Sequence, residues 1–243
     1  MKNIVIAAGY ATRLYPLTEN FPKPLLQIGE SSILGRLIAD IDQIDGITEH
    51  IIVSNHKFIG HFESWAKEQQ TKHPIRLIDD GTETNETRLG AVRDLLLAIE
   101  QTEADEDLLV IAADNILDFS FRGFVEYAKQ KGTSIIMCHH EPELKKLQRT
   151  GVIEVDSNMK VLQMQEKPEV PVSNWAVPPF YIYRKEDLPL IKDCMNHGCG
   201  FDAPGNLAHY LCEITPMHAW PMPGHRYDIG TLESYEEIKK QFG

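Results

Sequence analysis

Apolar and polar positions fall into two textures along the chain. Up to about residue 140, short unbroken apolar runs recur: "KNIVIA", "HIIVSN", "PIRLID", "DLLVIAAD" and "TSIIMCH". Runs of this length without alternation predict strands buried on both faces. Between them the period changes. "SSILGRLIADIDQI" sets Ile33, Leu37, Ile41 and Ile44 on one face behind a serine cap, which predicts a helix. "IGHFESWAKEQQ", "RLGAVRDLLLAIEQ" and "FRGFVEYAKQK" are read the same way. Strands spaced by helices of this length require crossovers, and hence a mainly parallel central sheet flanked by helices.

From residue 151 the texture shifts. "GVIEVDSNMKVLQMQEKP" carries two short alternating runs around "DSN", a hairpin signal, and "PFYIYR" and "HAWPM" are expected to be further short strands. The second half should therefore add antiparallel strands and loops to one edge of the sheet. No internal repeat, low-complexity stretch or linker interrupts the 243 residues, so an α/β chain of one domain, 1–243, is expected.

Composition narrows the class. With 42% apolar residues the chain can bury a full core, and 24 Lys+Arg against 36 Asp+Glu gives a formal net charge of −12. That balance argues against a life on nucleic acid or anionic membrane, where a basic face supplies the affinity. A polyanionic ligand is still compatible, provided that its counter-charge is local or brought by a metal. Cys138, Cys194, Cys199 and Cys212 form no disulfide framework. "CMNHGC" lacks four-ligand zinc spacing, and His139-His140 at a strand end is read as packing or rim. No stretch approaches the length of a membrane span and the start does not fit a signal peptide, so a reducing, cytoplasmic setting is expected.

The first strand runs straight into "AAGYATRLYPLTENFPKPLL", residues 7–26. A connection that only reversed the chain would need the glycine and little more. At the carboxyl edge of a parallel sheet, backbone N–H groups near Gly9 and Ala11 are placed to approach a nucleotide. Arg13 offers a fork and Lys23 a point charge for phosphates. Gly9, Ala11 and Leu14 do not make the dinucleotide pattern, and no Gly-Lys-Ser/Thr follows to make a P-loop. By themselves these residues also suit an ordinary basic surface turn.

The full string is more specific. "AAGYATRLYPLT" followed by "PKPLL" resembles the signature of the sugar nucleotidylyltransferases, the sugar-1-phosphate pyrophosphorylases, with Ala11 where the second glycine of that signature usually stands. Three more motifs follow in the family's order: "AADN" (112–115), with Ala113 in place of a common glycine, then "QEKPEVP" (165–171) and "YDIGTLESY" (227–235). The resemblance covers essentially the whole chain. It implies a Rossmann-like, glycosyltransferase-A-like fold, with residues 1–140 as the nucleotide-binding half and 141–243 as the acceptor-binding half. The implied reaction joins an NTP to a sugar 1-phosphate, giving an NDP-sugar and pyrophosphate.

That chemistry brings two polyanions together while charge grows on the leaving pyrophosphate, so positioning and electrostatic stabilisation carry it. Arg13 is expected to clamp the triphosphate, and Lys23, stiffened between Pro22 and Pro24, to meet the α-phosphate or the departing oxygens. Asp114 and Asp228 form the carboxylate pair that, with phosphates and water, suits Mg²⁺. Taken singly, each has a lesser alternative, Asp114 as a turn acid capping "NILDF" and Asp228 as a helix-cap acid before "TLESYEEIKKQF". The resemblance assigns Ala8, Gly9, Ala11, Thr12 and Gly90 to the nucleotide, although "GTETNETRLGAV" departs from the family's usual run there, and the amide of Asn85 is a candidate partner for a pyrimidine base. Asn85 is equally an Asx-turn residue. Gly151, Glu166 and Lys167 are implied on the acceptor side. There Thr150 replaces a frequent aromatic, and a Glu-Lys dipeptide alone would read as a surface pair. Asp202, in "FDAPGNLAHYL", either joins that group or caps the next helix.

The expected partners are thus an NTP and a small phosphorylated acceptor, with no nucleic acid and no membrane. Two other readings stand beside the first: a CTP-dependent cytidylyltransferase acting on phosphocholine or another phospho-alcohol, and a catalytically silent nucleotide-binding regulatory subunit. The sequence closes on "SYEEIKKQFG", so no β-helix tail of the family's kind is expected. A monomer or small homo-oligomer without tail-borne control is expected.

Overall fold

The computed structural model describes residues 1–243. Its first half runs β1 (Lys2–Ile6), β2 (Gln27–Ile28), β3 (Ser31–Ser32), α1 (Ile33–Ile41), β4 (Glu49–Ser54), α2 (Ile59–Glu68), β5 (Ile75–Asp79), α3 (Ala91–Gln101), β6 (Leu108–Ala112), β7 (Asn115–Leu117) and α4 (Arg122–Lys131). There follow β8 (Ser134–His140), α5 (Leu144–Leu147), β9 (Gly151–Val155), β10 (Val161–Glu166), β11 (Trp175–Val177), β12 (Phe180–Tyr183), α6 (Leu188–Asp193), α7 (Gly205–Ile214), β13 (Met217–Pro221), β14 (Arg226–Asp228) and α8 (Leu232–Phe242). Contacts group these into two compact units. One comprises Met1–Leu89, Ala112–Phe121 and Gly224–Gly243, and the other Gly90–Ile111 and Arg122–Pro223. No helix is long and apolar enough to cross a membrane.

The first unit is built on parallel strands. β1 pairs with β4 from Lys2↔Glu49 to Ile6↔Val53, and β4 pairs with β5 from His50↔Ile75. Every residue of β4 is buried, as an unbroken apolar run in a parallel sheet requires. α1 begins where the serine signal places it: the Ser32 side chain accepts from Gly35 N at 3.0 Å, and Ile33, Leu37 and Ile41 are buried. A second apolar cluster gathers distant parts of the sequence. Leu14, Leu26, Ile28 and Ile33 pack with Ile116 of β7 and with Ile229, Tyr235 and Ile238 of the C-terminal segment, and Ala11 and Phe242 lie against them. This cluster underlies the turn after β1.

Within that turn Ala11 adopts φ 47° and ψ 43°, the left-handed conformation that favours glycine. Its carbonyl accepts from Leu14 N at 2.9 Å and from the buried Thr18 hydroxyl at 2.8 Å. Alanine thus keeps the shape that a glycine would give the turn, and its methyl packs on the cluster.

In the second unit the sheet is mixed. β12 lies antiparallel to both β6 and β8, β11 antiparallel to β8 and β9, and β9 to β10, while β13 runs parallel to β8. The β9–β10 hairpin forms where "DSN" signals it. β12, however, does not extend an edge: it inserts between β6 and β8. Its sequence FYIY has no charged side chain and is buried throughout, both tyrosines included, and an internal position suits such a strand.

Two substitutions test the turn. Ala11→Gly trades left-handed strain of about 1–2 kcal/mol against about 0.8 kcal/mol of methyl burial and about 0.5–1 kcal/mol of chain entropy. The expected change in urea-unfolding free energy is therefore within about 1 kcal/mol of zero. Ala11→Val puts a β-branched residue into the same conformation and should lose about 1–2 kcal/mol. Equal stability of the valine variant would show that Ala11 is not left-handed in solution.

Candidate active site

Asp114 stands two residues past the end of β6, so the strand delivers its carboxylate to the carboxyl end of the sheet. The β7–β14 ladder pairs Asn115 with Asp228 and Ile116 with Tyr227, and Ile229 N donates to the Asp114 carbonyl at 3.2 Å. These short pairings bring the two predicted acids together. Lys23 reaches the same place from a 3-10 turn that starts behind Pro22: its Nζ lies 3.3 Å from Asp114 Oδ2, and the residue is only 9% exposed.

The electrostatics follow from this crowding. Asp228 has an open edge to solvent, yet the protein around it displaces enough water to push its carboxyl above the usual range. The nearby Asp114 carboxylate pushes it further up, and Lys23, Arg226 and Arg13 pull the other way. Asp114 is held from its other side by an amide. Asn115, fully buried, donates from Nδ2 to Asp114 Oδ1 at 2.5 Å, and its Oδ1 accepts from Arg226 Nη1 at 2.6 Å. Neither Asn115 nor Arg226 stands out in the sequence as a candidate. The only hint lies in their adjacency to the two acids in "AADN" and "RYDIG".

Ala8 and Gly9 lead into the 3-10 turn that carries Thr12 and Arg13, and Asn85 lies on a separate turn between β5 and α3. Gly9 is exposed, and a Cβ built on it meets nothing within 4 Å, so its backbone is open to approach. The Ala8 carbonyl is occupied, accepting from Asn55 Nδ2 at 2.9 Å. Thr12 and Arg13 are exposed on the 3-10 turn, and Gly230 keeps the chain close to Asp228, where an added Cβ would sit 3.0 Å from Oδ2. Asn85 lies in a turn closed by Thr87 N on the Thr84 carbonyl, and its own carbonyl accepts from Arg88 Nη1 at 2.9 Å.

A separate group of candidates assembles in the second unit. Gly151 opens β9 opposite Glu166 of β10, and a Cβ there would stand 2.8 Å from Met164 Cε and 3.2 Å from Glu166 Oε2. Burial pushes the Glu166 carboxyl up, while Lys167 and His209 oppose the shift. Lys167, in the left-handed region at φ 50°, donates its N–H to the Thr150 carbonyl at 3.1 Å and holds an exposed Nζ 3.9 Å from Glu166 Oε1. Gly205, at the start of α7, was not a candidate in the sequence. A Cβ on it would fall 2.0 Å from Glu166 Oε2, so only glycine leaves room for that carboxylate. The Pro-Gly pair ahead of a helix is the signal that marks it.

Gly90 and Asp202 also belong to this unit, and they meet each other rather than Glu166. At φ 93° Gly90 packs against the 201–202 backbone, where a Cβ would lie 2.6 Å from the Phe201 carbonyl oxygen. Ala91 N and Val92 N donate to the carbonyls of Asp202 and Phe201 at 3.1 and 3.0 Å. The first N–H groups of α3 are thereby consumed inside the unit. Asp202 contributes its carbonyl to this junction, and its residue is exposed.

Comparison with known proteins agrees with this architecture. A glucose-1-phosphate adenylyltransferase from Fervidobacterium nodosum is 26% identical over 98% of this chain and 60% of its own length. A putative mannose-1-phosphate guanyltransferase from Sulfolobus acidocaldarius is 27% identical over 97% of this chain and 61% of its own. The chain therefore spans about three fifths of the length of these relatives. Among solved structures, a UDP-glucose pyrophosphorylase complexed with UDP-glucose has a TM-score of 0.84 at 20% identity, covering 99% of this chain and 97% of that one. A putative glucose-1-phosphate thymidylyltransferase from Bacillus anthracis has a TM-score of 0.79 at 23% identity, covering 99% and 94%. These likenesses establish a Rossmann-like α/β fold with an antiparallel elaboration. The sequence matches the family described as nucleotidyl transferase over residues 2–242, and the chain belongs to that family.

Proposed function

We propose that this chain transfers a nucleotidyl group from an NTP to a sugar 1-phosphate, releasing pyrophosphate and an NDP-sugar. The observation that carries the reading is the buried Lys23 beside Asp114, next to an Asp228 whose charge the same neighbourhood resists. A mere structural ion pair would need one acid; the second, repelled by the first, is accounted for if cationic and phosphate groups join them.

In this reading an oxygen of the acceptor phosphate attacks the α-phosphorus in line, and the bond to the pyrophosphate oxygen breaks. Arg13, exposed on its turn, forks onto the β- and γ-phosphates, and Lys23 meets charge that grows at the α-phosphate and the departing oxygen. Gly9 lets the backbone approach the nucleotide, with Ala8, Ala11 and Thr12 beside it in the chain, and Asn85 offers an amide from its own turn. Asn115 holds Asp114 in its orientation, and Arg226 holds Asn115. The two carboxylates are hard oxygen donors whose mutual repulsion a divalent cation relieves, so they fit Mg²⁺. Bound there, Mg²⁺ would supply neutralisation of phosphate charge. In the second unit Lys167 offers an exposed ammonium for the acceptor phosphate. Glu166, with space kept for it by Gly151 and Gly205, accepts from the acceptor's hydroxyls. Gly90 and Asp202 serve the packing of α3 in this scheme.

A matrix of nucleoside triphosphates against phospho-acceptors, read by pyrophosphate release, tests the reaction and its substrates together. Turnover with a sugar 1-phosphate is expected; turnover only with CTP and a phospho-alcohol would replace the acceptor, and none at all would refute transfer.

Three sets of variants test the roles. Asp228→Asn should lower kcat by at least about 10²-fold, the scale at which preorganised charge is lost, and EDTA should stop the unmodified protein; full activity in EDTA would rule out the two-carboxylate site. Lys167→Ala should raise KM for the acceptor far more than for the NTP, and an equal rise for both would misplace it. Lys23→Ala should lower kcat and kcat/KM together with little change in calorimetric NTP affinity, while Arg13→Lys should weaken NTP despite the retained charge. Loss of NTP binding with normal turnover at saturation would make Lys23 a docking charge only.

A further inference from the structure

At the opposite ends of the same parallel strands, far along β1 and β4 from the Lys23 turn, three ligand-type side chains converge on one point. Asp42 caps the C-terminus of α1, His50 is the second residue of β4, and His73 lies just ahead of β5. His50 Nε2 is 3.1 Å and His73 Nδ1 2.9 Å from the same oxygen, Asp42 Oδ1, and all three atoms lie within 4.8 Å of one another. His50 and Asp42 are buried, whereas the His73 side chain is 27% exposed.

We propose that Asp42 Oδ1, His50 Nε2 and His73 Nδ1 form a structural site for a divalent ion of the zinc class. Two imidazole nitrogens and one carboxylate oxygen are the donors that such an ion takes. A tetrahedral ion with bonds of about 2.0–2.1 Å sets its ligand atoms about 3.3 Å apart, and the two separations from Asp42 Oδ1 are already close to that edge. The partly open side at His73 gives ion and water a way in for the fourth position.

A second observation comes from Asn3, which faces His50 in the β1–β4 register and is fully buried. Its Nδ2 lies 3.0 Å from His50 Nδ1, and its Oδ1 has no hydrogen-bond partner. Hydrogen bonds alone fix His50 with Nε2–H toward Asp42 and a bare Nδ1 toward Asn3, leaving that amide oxygen an unused acceptor. An ion on Nε2 moves the proton to Nδ1. Turning the Asn3 amide then makes Oδ1 its acceptor, the outer contact that a metal-bound histidine habitually has. Lys72 N and His73 N, donating to Asp42 Oδ2 and Oδ1 at 2.7 and 3.1 Å, keep the carboxylate in place whether or not an ion is present.

Metal-stripped full-length protein titrated with CoCl₂ should develop the visible bands of four-coordinate Co²⁺ at one ion per chain. ZnCl₂ should abolish those bands and, at about 100-fold excess over its Kd, raise Tm by about 5–10 °C. His73→Ala, a change in a partly exposed loop, should weaken Co²⁺ binding by more than about 100-fold, and Asn3→Ala by about 10–100-fold. Asp228→Asn should leave the bands intact, which separates this site from the carboxylate pair. Absence of bands in the unmodified protein, or bands that survive His73→Ala unchanged, would overturn the proposal.

Discussion

β7 and β14 are three residues each and come from distant parts of the chain, yet their pairing governs the candidate active site. The register sets Asp228 opposite Asn115, and so beside Asp114, at a cost that the surroundings must offset. Two carboxylates in a partly dry setting repel, and Asp228 carries the consequence as a raised pKa. Lys23, Arg226 and Arg13 supply the compensating charge, and the apolar cluster from Leu14 to Ile238 holds the three chain segments where that compensation works. The −12 balance of the whole chain is thus offset locally, as the proposed polyanionic ligand would require.

The second unit meets a related problem by a different device. Glu166 is half-enclosed, and the space around its carboxylate exists because Gly151 and Gly205 carry no side chain. Its partner Lys167 leaves β10 through a left-handed residue, a conformation costly for lysine, and this swings the ammonium out to solvent. Strain at such a position is more often found at functional sites than in neutral turns, which agrees with the role proposed for Lys167.

The nucleotidyl transferase fold thereby separates two tasks. Parallel strands with buried faces give the first unit a rigid carboxyl edge, and the mixed sheet of the second gives a hairpin whose register is fixed strand by strand. At the other ends of β1 and β4 the same rigidity gathers Asn3, Asp42, His50 and His73, with no demand from transfer chemistry. An ion there would tie α1, β4 and the approach to β5 without touching the reaction.

Much of this was legible from the residues alone, because local forces decide it. Apolar runs and a serine cap define β1, β4 and α1 through burial and capping that act within a few residues of each other. The motifs around Arg13, Lys23, Asp114, Glu166 and Asp228 single these residues out through their resemblance to a family signature, since each charge alone also suits a surface turn, a cap or a surface pair. What the sequence could not decide is long-range. β12 looks like any short strand until its lack of a charged side chain finds an internal slot between β6 and β8. Gly90, grouped by motif with the nucleotide residues, spends its freedom against Phe201. Asn115, Arg226 and Gly205 gain meaning only from neighbours brought in by pairing and packing. Ala11 shows both sides: the sequence offered a departure from glycine, and only the tertiary contacts under the turn hold an alanine in glycine's conformation.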